Sequence, residues 1–154
     1  MDTESLQGRV PRASIEVIVA AHTAFNARRL DELEALMRED VDLFLPLMLG
    51  LTTTTTTGLP AFRATLKKLL TVAPDLRMEL ERAEVVGDLI IVVGLAVATG
   101  TDGERYQWPL RVLVAEEDRR ITRYVVRAPH ADILADRHAF GHADVSRHPR
   151  PGGG

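Results

Sequence analysis

The first candidate for chemistry is a histidine that lies within an apolar helical pattern. Ile15, Ile18, Val19, His22 and Phe25 recur at the spacing of one helix face, which predicts that the imidazole points towards the interior. An imidazole in that position could act as a general acid or base near neutral pH. The alternative is a core histidine that is hydrogen-bonded to a neighbour.

A second candidate is Arg111, which stands between apolar neighbours in the stretch WPLRVLVA. If Arg111 points inward together with Gln107, it places a fixed positive charge in an apolar cavity, and a buried charge needs a partner. A ligand carboxylate or enolate could be that partner, because the planar guanidinium suits paired hydrogen bonds to such oxygens. The alternatives are a salt bridge to Asp42 or Glu79, or exposure to solvent.

A third candidate lies on the last predicted strand, where Thr122, Tyr124 and Val126 share one face because side chains alternate along a strand. Tyr124 could donate a hydrogen bond to a ligand oxygen. Alternatively, it packs with its hydroxyl at the rim of the fold. Asn26, one helical turn after His22, could also face a site, although a residue of this type at a helix end often bonds to backbone groups.

The pattern leaves open which way the strand containing Arg111 faces. Trp108, Leu110, Val112 and Val114 have the opposite parity to Arg111. If Arg111 faces a pocket, these four side chains form an apolar stripe on the outer face of the sheet, which predicts a homodimer through that face. If the faces are swapped, Trp108 lies in the pocket and Arg111 lies in water.

The composition excludes several classes of function. The chain of 154 residues is 45 % apolar and 27 % charged with a net charge of -3, which is ordinary for one globular domain. Acidic and basic residues are interspersed without a basic stripe, so we expect no nucleic-acid partner. The polar start lacks a signal-peptide core, and no apolar run reaches the roughly 18 residues of a membrane span. We therefore predict a cytoplasmic protein with no membrane partner.

Metal and cofactor chemistry are not indicated either. There is no cysteine, which excludes disulfides, thiolate ligands and thiolate nucleophiles. Four of the five histidines, His130, His138, His142 and His148, lie after residue 129. A segment rich in proline and glycine does not hold three or four metal ligands together, so we predict no metal site and no cofactor.

Changes in composition along the chain predict one structured domain. We predict a flexible leader over residues 1–13, a domain over 14–140 and a disordered tail over 141–154. A short terminal helix is predicted over residues 130–140.

Capping signals and periodicity predict the elements of the first half. Ser14 is a candidate N-cap of the first helix, and Asp31 with Glu34 looks like a capping box that starts a second helix. Val41–Leu45 reads as a short strand. The run Thr52–Thr57 predicts a short edge strand or a loop, since threonine prefers extended backbone.

The second half predicts one further helix and then a meander of strands. Pro60 is well placed in the first turn of the helix. A period of two begins at Asp75, and Leu89–Thr99 is apolar on both parities, which predicts a central strand covered on both faces. Asp102-Gly103 is a hairpin signal. Residues 104–127 then form two long antiparallel strands joined at Glu117-Asp118.

With this order of elements, the chain resembles the NTF2-like superfamily, in particular its SnoaL-like and ketosteroid-isomerase-like branch. The resemblance covers about residues 14–128 and rests on the segments AFNARRLDELEALMREDVDLFLP, GLPAFRATL and RRITRYVV. It implies an α+β cone in which three N-terminal helices pack on a curved, mainly antiparallel sheet. It also implies a deep apolar pocket between sheet and helices, and dimers that often pack through the outer face of the sheet.

The resemblance does not supply a known mechanism. The isomerases of the family use an Asp base where this chain has Leu45, a tyrosine where it has Ala21 and a protonated Asp where it has Arg111. The family's epoxide hydrolases need an Asp where this chain has Val126. Neither set of catalytic groups is present at the matching positions, so the resemblance leaves turnover open.

We therefore predict a SnoaL-like small-molecule-binding protein with an apolar pocket for a hydrophobic or polyketide-like ligand. The predicted ligand-binding residues are Phe25, Leu45, Gln107, Tyr124 and Val126. One alternative is an isomerase- or cyclase-type enzyme in which His22 transfers a proton and Arg111 stabilises a developing oxyanion. Another is a non-catalytic dimerisation scaffold, in which large side chains such as Phe25, Phe44 and Leu45 fill the cavity.

Overall fold

A computed structural model describes residues 12–45, 54–87 and 89–127 of the chain. The predicted terminal helix, the predicted tail and most of the predicted leader lie outside these residues, and the domain boundaries stay predictions. The fold is of the mixed α+β class, with three helices and one six-stranded sheet. In chain order the elements are α1 (Arg12–Asn26), α2 (Leu30–Ala35), β1 (Met37–Leu45), β2 (Thr54–Thr57), α3 (Leu59–Val72), β3 (Arg77–Val86), β4 (Leu89–Thr99), β5 (Arg105–Glu117) and β6 (Arg120–Arg127).

Helix α1 forms from an alanine-rich segment with one apolar face. It begins at Arg12, so Ser14 lies inside the helix and its predicted role as the N-cap is wrong. The Ser14 hydroxyl instead donates a hydrogen bond to the Glu116 carboxylate at 2.6 Å. This bond joins the start of α1 to the end of β5. The helix ends at Asn26, and Arg28 takes a left-handed φ of 61° as the chain turns away.

Helix α2 is short and passes almost directly into β1. Its N-cap residue is Arg29 and no side chain caps it, so the predicted capping box of Asp31 and Glu34 is wrong. Glu34 instead accepts hydrogen bonds from the guanidinium of Arg63 on α3, with the Glu34 Oε1 and Arg63 Nε atoms 3.1 Å apart. The strand that follows starts at Met37 and is longer than predicted.

The threonine run supplies an edge strand. Thr54–Thr57 form β2, which pairs antiparallel with β1 at the edge of the sheet, as the pattern predicted for these four residues. Gly58 then takes a φ of 96°, which an L side chain rarely adopts, and Pro60 lies in the first turn of α3. The third helix therefore follows two strands, whereas the resemblance implied three helices at the N-terminus.

The strand order is β2-β1-β6-β5-β4-β3. The last strand, β6, lies between β1 and β5; it pairs parallel with β1, and all other pairs are antiparallel. This insertion places Tyr124 between Leu43 on β1 and Val114 on β5. Helices α1 and α3 pack on the sheet at β3 and β6 and at β1 and β2, respectively. The inner face of the sheet is thus the face that carries Leu43, Tyr124 and Val114.

The structure decides the facing of β5. Trp108, Leu110, Val112 and Val114 are all buried, with exposed fractions of 5 % or less. They lie on the inner face, so their prediction as an outer dimerisation stripe is wrong. Arg111 is exposed on the outer face and is opposite Val93 and Arg127 on the neighbouring strands.

Turns and bulges bend the strands around the helices. Asp118 and Arg119 take positive φ values of 51° and 64° at the β5–β6 turn, as a two-residue hairpin turn requires. The register shifts between Leu80 and Arg82 in the β3–β4 pair. Opposite this bulge, a Cβ added to Gly94 would lie 2.2 Å from the Glu79 carbonyl oxygen, so only glycine allows this close approach.

Candidate functional site

A partly open cavity lies between the inner face of the sheet and the three helices. Among the described residues that line it, His22 and Tyr124 carry polar side-chain atoms and the rest are apolar. The apolar lining residues come from every helix and from five strands. They are Ala21, Phe25, Leu33, Met37, Leu43, Leu45, Phe62, Leu66, Leu69, Leu76, Met78, Ala96, Leu110 and Val126.

His22 is held in one tautomer by its backbone partner. Its side chain is buried, and Nδ1 lies 2.8 Å from the carbonyl oxygen of Ile18, one turn earlier in α1. A carbonyl oxygen only accepts, so Nδ1 must carry the proton and Nε2 of the neutral ring must offer a lone pair. Burial lowers the pKa of His22, and the hydrogen bond to Ile18 opposes that shift without cancelling it.

Tyr124 completes a hydrogen-bonded pair with His22 inside the cavity. The Tyr124 hydroxyl lies 2.6 Å from Nε2 of His22, and the two ring centroids are 5.6 Å apart. Since Nε2 is an acceptor, the hydroxyl donates to it. Burial raises the pKa of Tyr124, so the phenol keeps its proton at neutral pH. The pair is a directed chain of hydrogen bonds in apolar surroundings.

Asn26 fixes the far end of α1 against β3. Its side-chain amide donates to the carbonyl of Met78 and accepts from the amide of Met78, both at 2.9 Å. These bonds match the backbone-bonding alternative for Asn26, and they place Met78 next to the pair, with its sulfur 3.7 Å from the Tyr124 hydroxyl. Met78 and His22 also line a polar surface groove between α1 and β3, so they lie between that groove and the cavity.

Arg28 supports the site in a way that the sequence did not indicate. Its guanidinium donates to the carbonyls of Phe25, Pro74 and Leu76 at 2.7–2.8 Å. The guanidinium carbon also lies 5.0 Å from the centre of the Phe25 ring. The end of α1 and the segment before β3 are thereby held together, and Phe25 and Leu76 keep their positions in the cavity wall.

The structure separates the predicted site residues into two groups. Phe25, Leu45, Tyr124 and Val126 line the cavity together with His22. Gln107 and Arg111 are exposed on the outer face, so the prediction that they point into the pocket is wrong. The physical reason is the pleat: with Trp108 and Leu110 buried inside, their neighbours on the same strand must face out. Arg111 therefore cannot stabilise an oxyanion in this cavity.

The cavity is small. Its volume is about 60 Å³, which is less than the roughly 150 Å³ of an engineered protein cavity that takes up benzene. Pockets for drug-sized ligands span about 300–1,000 Å³. A ligand larger than a few water molecules would therefore have to displace lining side chains. Met37 and Met78 are the most adaptable of these, because methionine is unbranched and flexible.

The sequence profile of the SnoaL-like domain family matches residues 18–124. The chain belongs to this family. The match runs from α1 to β6 and includes both His22 and Tyr124. None of the curated proteins searched with the sequence matches it.

Solved structures with the same fold agree with this assignment. TerC, co-crystallised with polyporic acid, superposes with a TM-score of 0.72 at 21% identity, covering 82% of this chain and 98% of TerC. IdmH, a putative polyketide cyclase from Streptomyces antibioticus, gives 0.65 at 18% identity over 80% and 96% of the two chains. An NTF2-like protein of unknown function from Burkholderia pseudomallei gives 0.70 at 14% identity over 84% and 98%. These likenesses show an NTF2-like fold.

The described residues show neither a metal-binding cluster nor a helix that could cross a membrane. Across 12–45, 54–87 and 89–127, no three or more His, Asp or Glu side chains are arranged to hold a metal ion. In the same part of the chain, no helix combines the length and the apolar character that crossing a membrane would require.

Proposed function

We propose that this chain binds a small, largely apolar molecule in the cavity between the sheet and the helices, with Tyr124 in contact with its polar group. The observation that carries the proposal is the Tyr124–His22 pair, joined at 2.6 Å within a lining that is otherwise apolar. Burial of an apolar ligand supplies the affinity, and one fixed polar contact orients it.

The family assignment and the structural neighbours support a ligand of this class. TerC was crystallised with polyporic acid, an organic acid, and IdmH is named as a putative polyketide cyclase. Both share the fold of this chain. A hydrophobic or polyketide-like ligand is our proposal for this chain, and even a one-ring ligand would have to displace lining side chains in a cavity of about 60 Å³.

Calorimetric titration with benzene tests binding with a matched pair of variants. Ala96 lines the cavity and is fully buried, so Ala96→Val fills part of the space. Ala115 lies on the outer face of β5, where Ala115→Val adds the same atoms without entering the cavity. We expect benzene to bind the unmodified protein and Ala115→Val alike, and Ala96→Val at least about ten-fold more weakly. Equal binding by all three proteins would refute the cavity as the site.

An isomerase- or cyclase-type activity is the second candidate, and the tautomer of His22 favours it. The Nε2 lone pair of His22 already accepts a hydrogen bond from Tyr124, so it could take the phenolic proton as the Tyr124 oxygen takes a proton from a ligand. Arg111 has no part in this version. Turnover that survives in His22→Leu would remove the histidine from the mechanism.

A non-catalytic scaffold is the third candidate, and the volume of the cavity, about 60 Å³, favours it. Phe25 and Leu45 do occupy the inner space, as this version requires, whereas Phe44 faces outward opposite Val125. A protein that takes up no one-ring compound would leave this candidate standing.

We also propose that the chain forms a homodimer through the outer face of the sheet. Phe44, Val125, Leu113 and Ile91 are opposite one another across β1, β6, β5 and β4, and each is half-buried. This outer stripe replaces the wrong assignment of the inner residues. A two-fold axis through the stripe would bury it against itself. The cytoplasmic location likewise stays a prediction from the sequence.

Sedimentation of two variants tests the dimer. Leu113→Glu places a charge in the centre of the outer stripe, and Gln107→Glu places the same charge at an exposed position on the same strand. We expect Leu113→Glu to sediment as a monomer and Gln107→Glu to remain a dimer, because a desolvated, unpaired charge opposes association. A Leu113→Glu dimer would contradict this proposal.

A further inference from the structure

The hydrogen bonds of the Tyr124–His22 pair all run in one direction. Nδ1 of His22 donates to the Ile18 carbonyl, which leaves Nε2 as an acceptor. The Tyr124 hydroxyl has one proton, and it is directed to Nε2 at 2.6 Å rather than to the Met78 sulfur at 3.7 Å, because sulfur is the weaker acceptor. The phenolic oxygen of Tyr124 is therefore left with acceptor capacity only.

We propose that Tyr124 acts as a hydrogen-bond acceptor towards the ligand, so that the site selects a molecule with a hydroxyl donor, a phenol or an enol, over the corresponding ketone. This inference rests on the proposed binding function and specifies the chemical class of the ligand's polar group. His22 acts through Tyr124 as the residue that sets the direction of the contact.

A ketone is disfavoured for a specific reason. To donate to a ketone oxygen, Tyr124 would have to turn its proton away from Nε2 of His22. Two lone pairs would then face each other across 2.6 Å in an apolar cavity, with no donor between them. A buried acceptor without a donor costs far more than an exposed one. A hydroxyl ligand avoids that cost, since its proton meets the lone pair of Tyr124 and the chain of bonds continues unbroken.

Inside the cavity, no other described side chain would reverse this polarity. Among the described residues that line the cavity, every side chain other than His22 and Tyr124 is apolar. None of them can donate a proton to Nε2 in place of Tyr124. The direction of the chain is thus set by one backbone carbonyl, that of Ile18, which is fixed by the helix itself.

Three one-ring compounds of similar size test the inference: phenol as the donor, cyclohexanone as the acceptor and benzene as the apolar reference. Dissociation constants are measured by calorimetry at pH 8, where the lowered pKa of His22 keeps the ring neutral and phenol, like a tyrosine side chain with a pKa of about 10, is protonated. We expect phenol to bind at least roughly ten-fold more tightly than cyclohexanone.

Two variants show whether His22 sets the preference. In His22→Leu the acceptor is gone, so the Tyr124 proton is free to meet a ketone, and the preference for phenol should fall to about one or reverse. Arg111→Ala changes an exposed residue on the outer face and should keep the preference of the unmodified protein. If His22→Leu does not fold, the comparison of the three compounds on the unmodified protein still decides.

The tautomer is measured independently by ¹⁵N NMR of the His22 ring at pH 8. A protonated Nδ1 and a bare Nε2 are expected, and a protonated Nε2 would overturn the inference. Cyclohexanone binding as tightly as phenol, or equal affinity for all three compounds, would also overturn it while leaving the binding function intact. If none of the three compounds binds, the proposed binding function itself fails.

Discussion

The two faces of β5 carry different side chains and have opposite fates in the structure. On the inner face, Trp108, Leu110, Val112 and Val114 are buried against the helices. On the outer face, Pro109 and Leu113 share the surface with exposed Gln107 and Arg111. An apolar row can pack against a core or against a partner subunit, so the residues of the strand alone left both orientations open.

This difference shows that burying the apolar row of Trp108, Leu110, Val112 and Val114 determines the orientation of β5, and that Arg111 is then exposed on the other face. Turning β5 over would bury Arg111 without a partner and expose Trp108, and each change is unfavourable. The neighbouring strands agree with the observed choice, because Val112 is opposite Val92 and Val126, both of which are fully or almost fully buried. Only the neighbouring strands provide this second, independent indication of which face of β5 is buried.

The largest expected effect comes from placing a charge on each face in turn. Val112 is 1% exposed, so Val112→Asp buries an unpaired carboxylate and should lower the free energy of unfolding by about 4 kcal/mol or more. Gln107→Asp, at an exposed position on the outer face of the same strand, should cost about 1 kcal/mol or less. Urea unfolding followed by the fluorescence of buried Trp108 measures both. Equal losses would mean that the two faces are not distinguished as described.

A smaller loss of stability is expected at Gly94, where β3 and β4 approach closely because glycine has no side chain. Gly94→Ala would place a Cβ at 2.2 Å from the Glu79 carbonyl oxygen, which forces β3 and β4 apart at the bulge. We expect this change to cost about 1–3 kcal/mol, measured by the same urea titration. Val93→Ala, the adjacent residue on the outer face, is the control and should cost less. A neutral Gly94→Ala would show that the bulge can relax.

Substitutions of His22 and Tyr124 should have coupled effects on the free energy of unfolding, because the two side chains are hydrogen-bonded to each other. Tyr124→Phe leaves Nε2 of His22 without its donor and should cost about 1–3 kcal/mol, with a similar cost for His22→Leu. The double variant should cost less than the sum, since either change alone already breaks the bond. Arg123→Ala, next to Tyr124 but exposed, should cost about 0.5 kcal/mol or less. Additive costs would indicate that the two side chains do not interact.

The smallest expected effect is a dependence of stability on pH. Burial lowers the pKa of His22 in the folded state, so the unfolded chain binds this proton more readily. Below about pH 6.5 the protein should lose stability relative to His22→Leu as the pH falls, by at most about 1.4 kcal/mol per pH unit, until the folded-state pKa is reached. Urea titrations of both proteins at several pH values from about 7.5 to about 5, on either side of the ordinary histidine pKa of about 6.5, measure the difference in the free energy of unfolding. The histidines after residue 129 are common to both proteins and cancel.

Much of the fold could be predicted because its signals are local. Strand β4, the hairpin turns near Gly103 and Asp118, and the positions of α1 and α3 follow from periodicity and from turn residues within a few positions of one another. The cavity-facing position of His22 was predicted in the same way, since the apolar face of a helix is a property of its own sequence. The prediction of Ser14 as an N-cap was wrong because its hydrogen-bond partner, Glu116, lies 102 residues away in the sequence.

The sequence by itself determined the α+β class, the family resemblance and the apolar row that contains His22, because each depends on the order and spacing of neighbouring residues. The tertiary structure decided which face of β5 is inside, that Arg111 is outside, and that Tyr124 meets His22 at 2.6 Å. These outcomes depend on β6 lying between β1 and β5, a pairing between residues far apart in the chain. A strand's own pattern gives its period, and only its partners determine which of its two faces is buried.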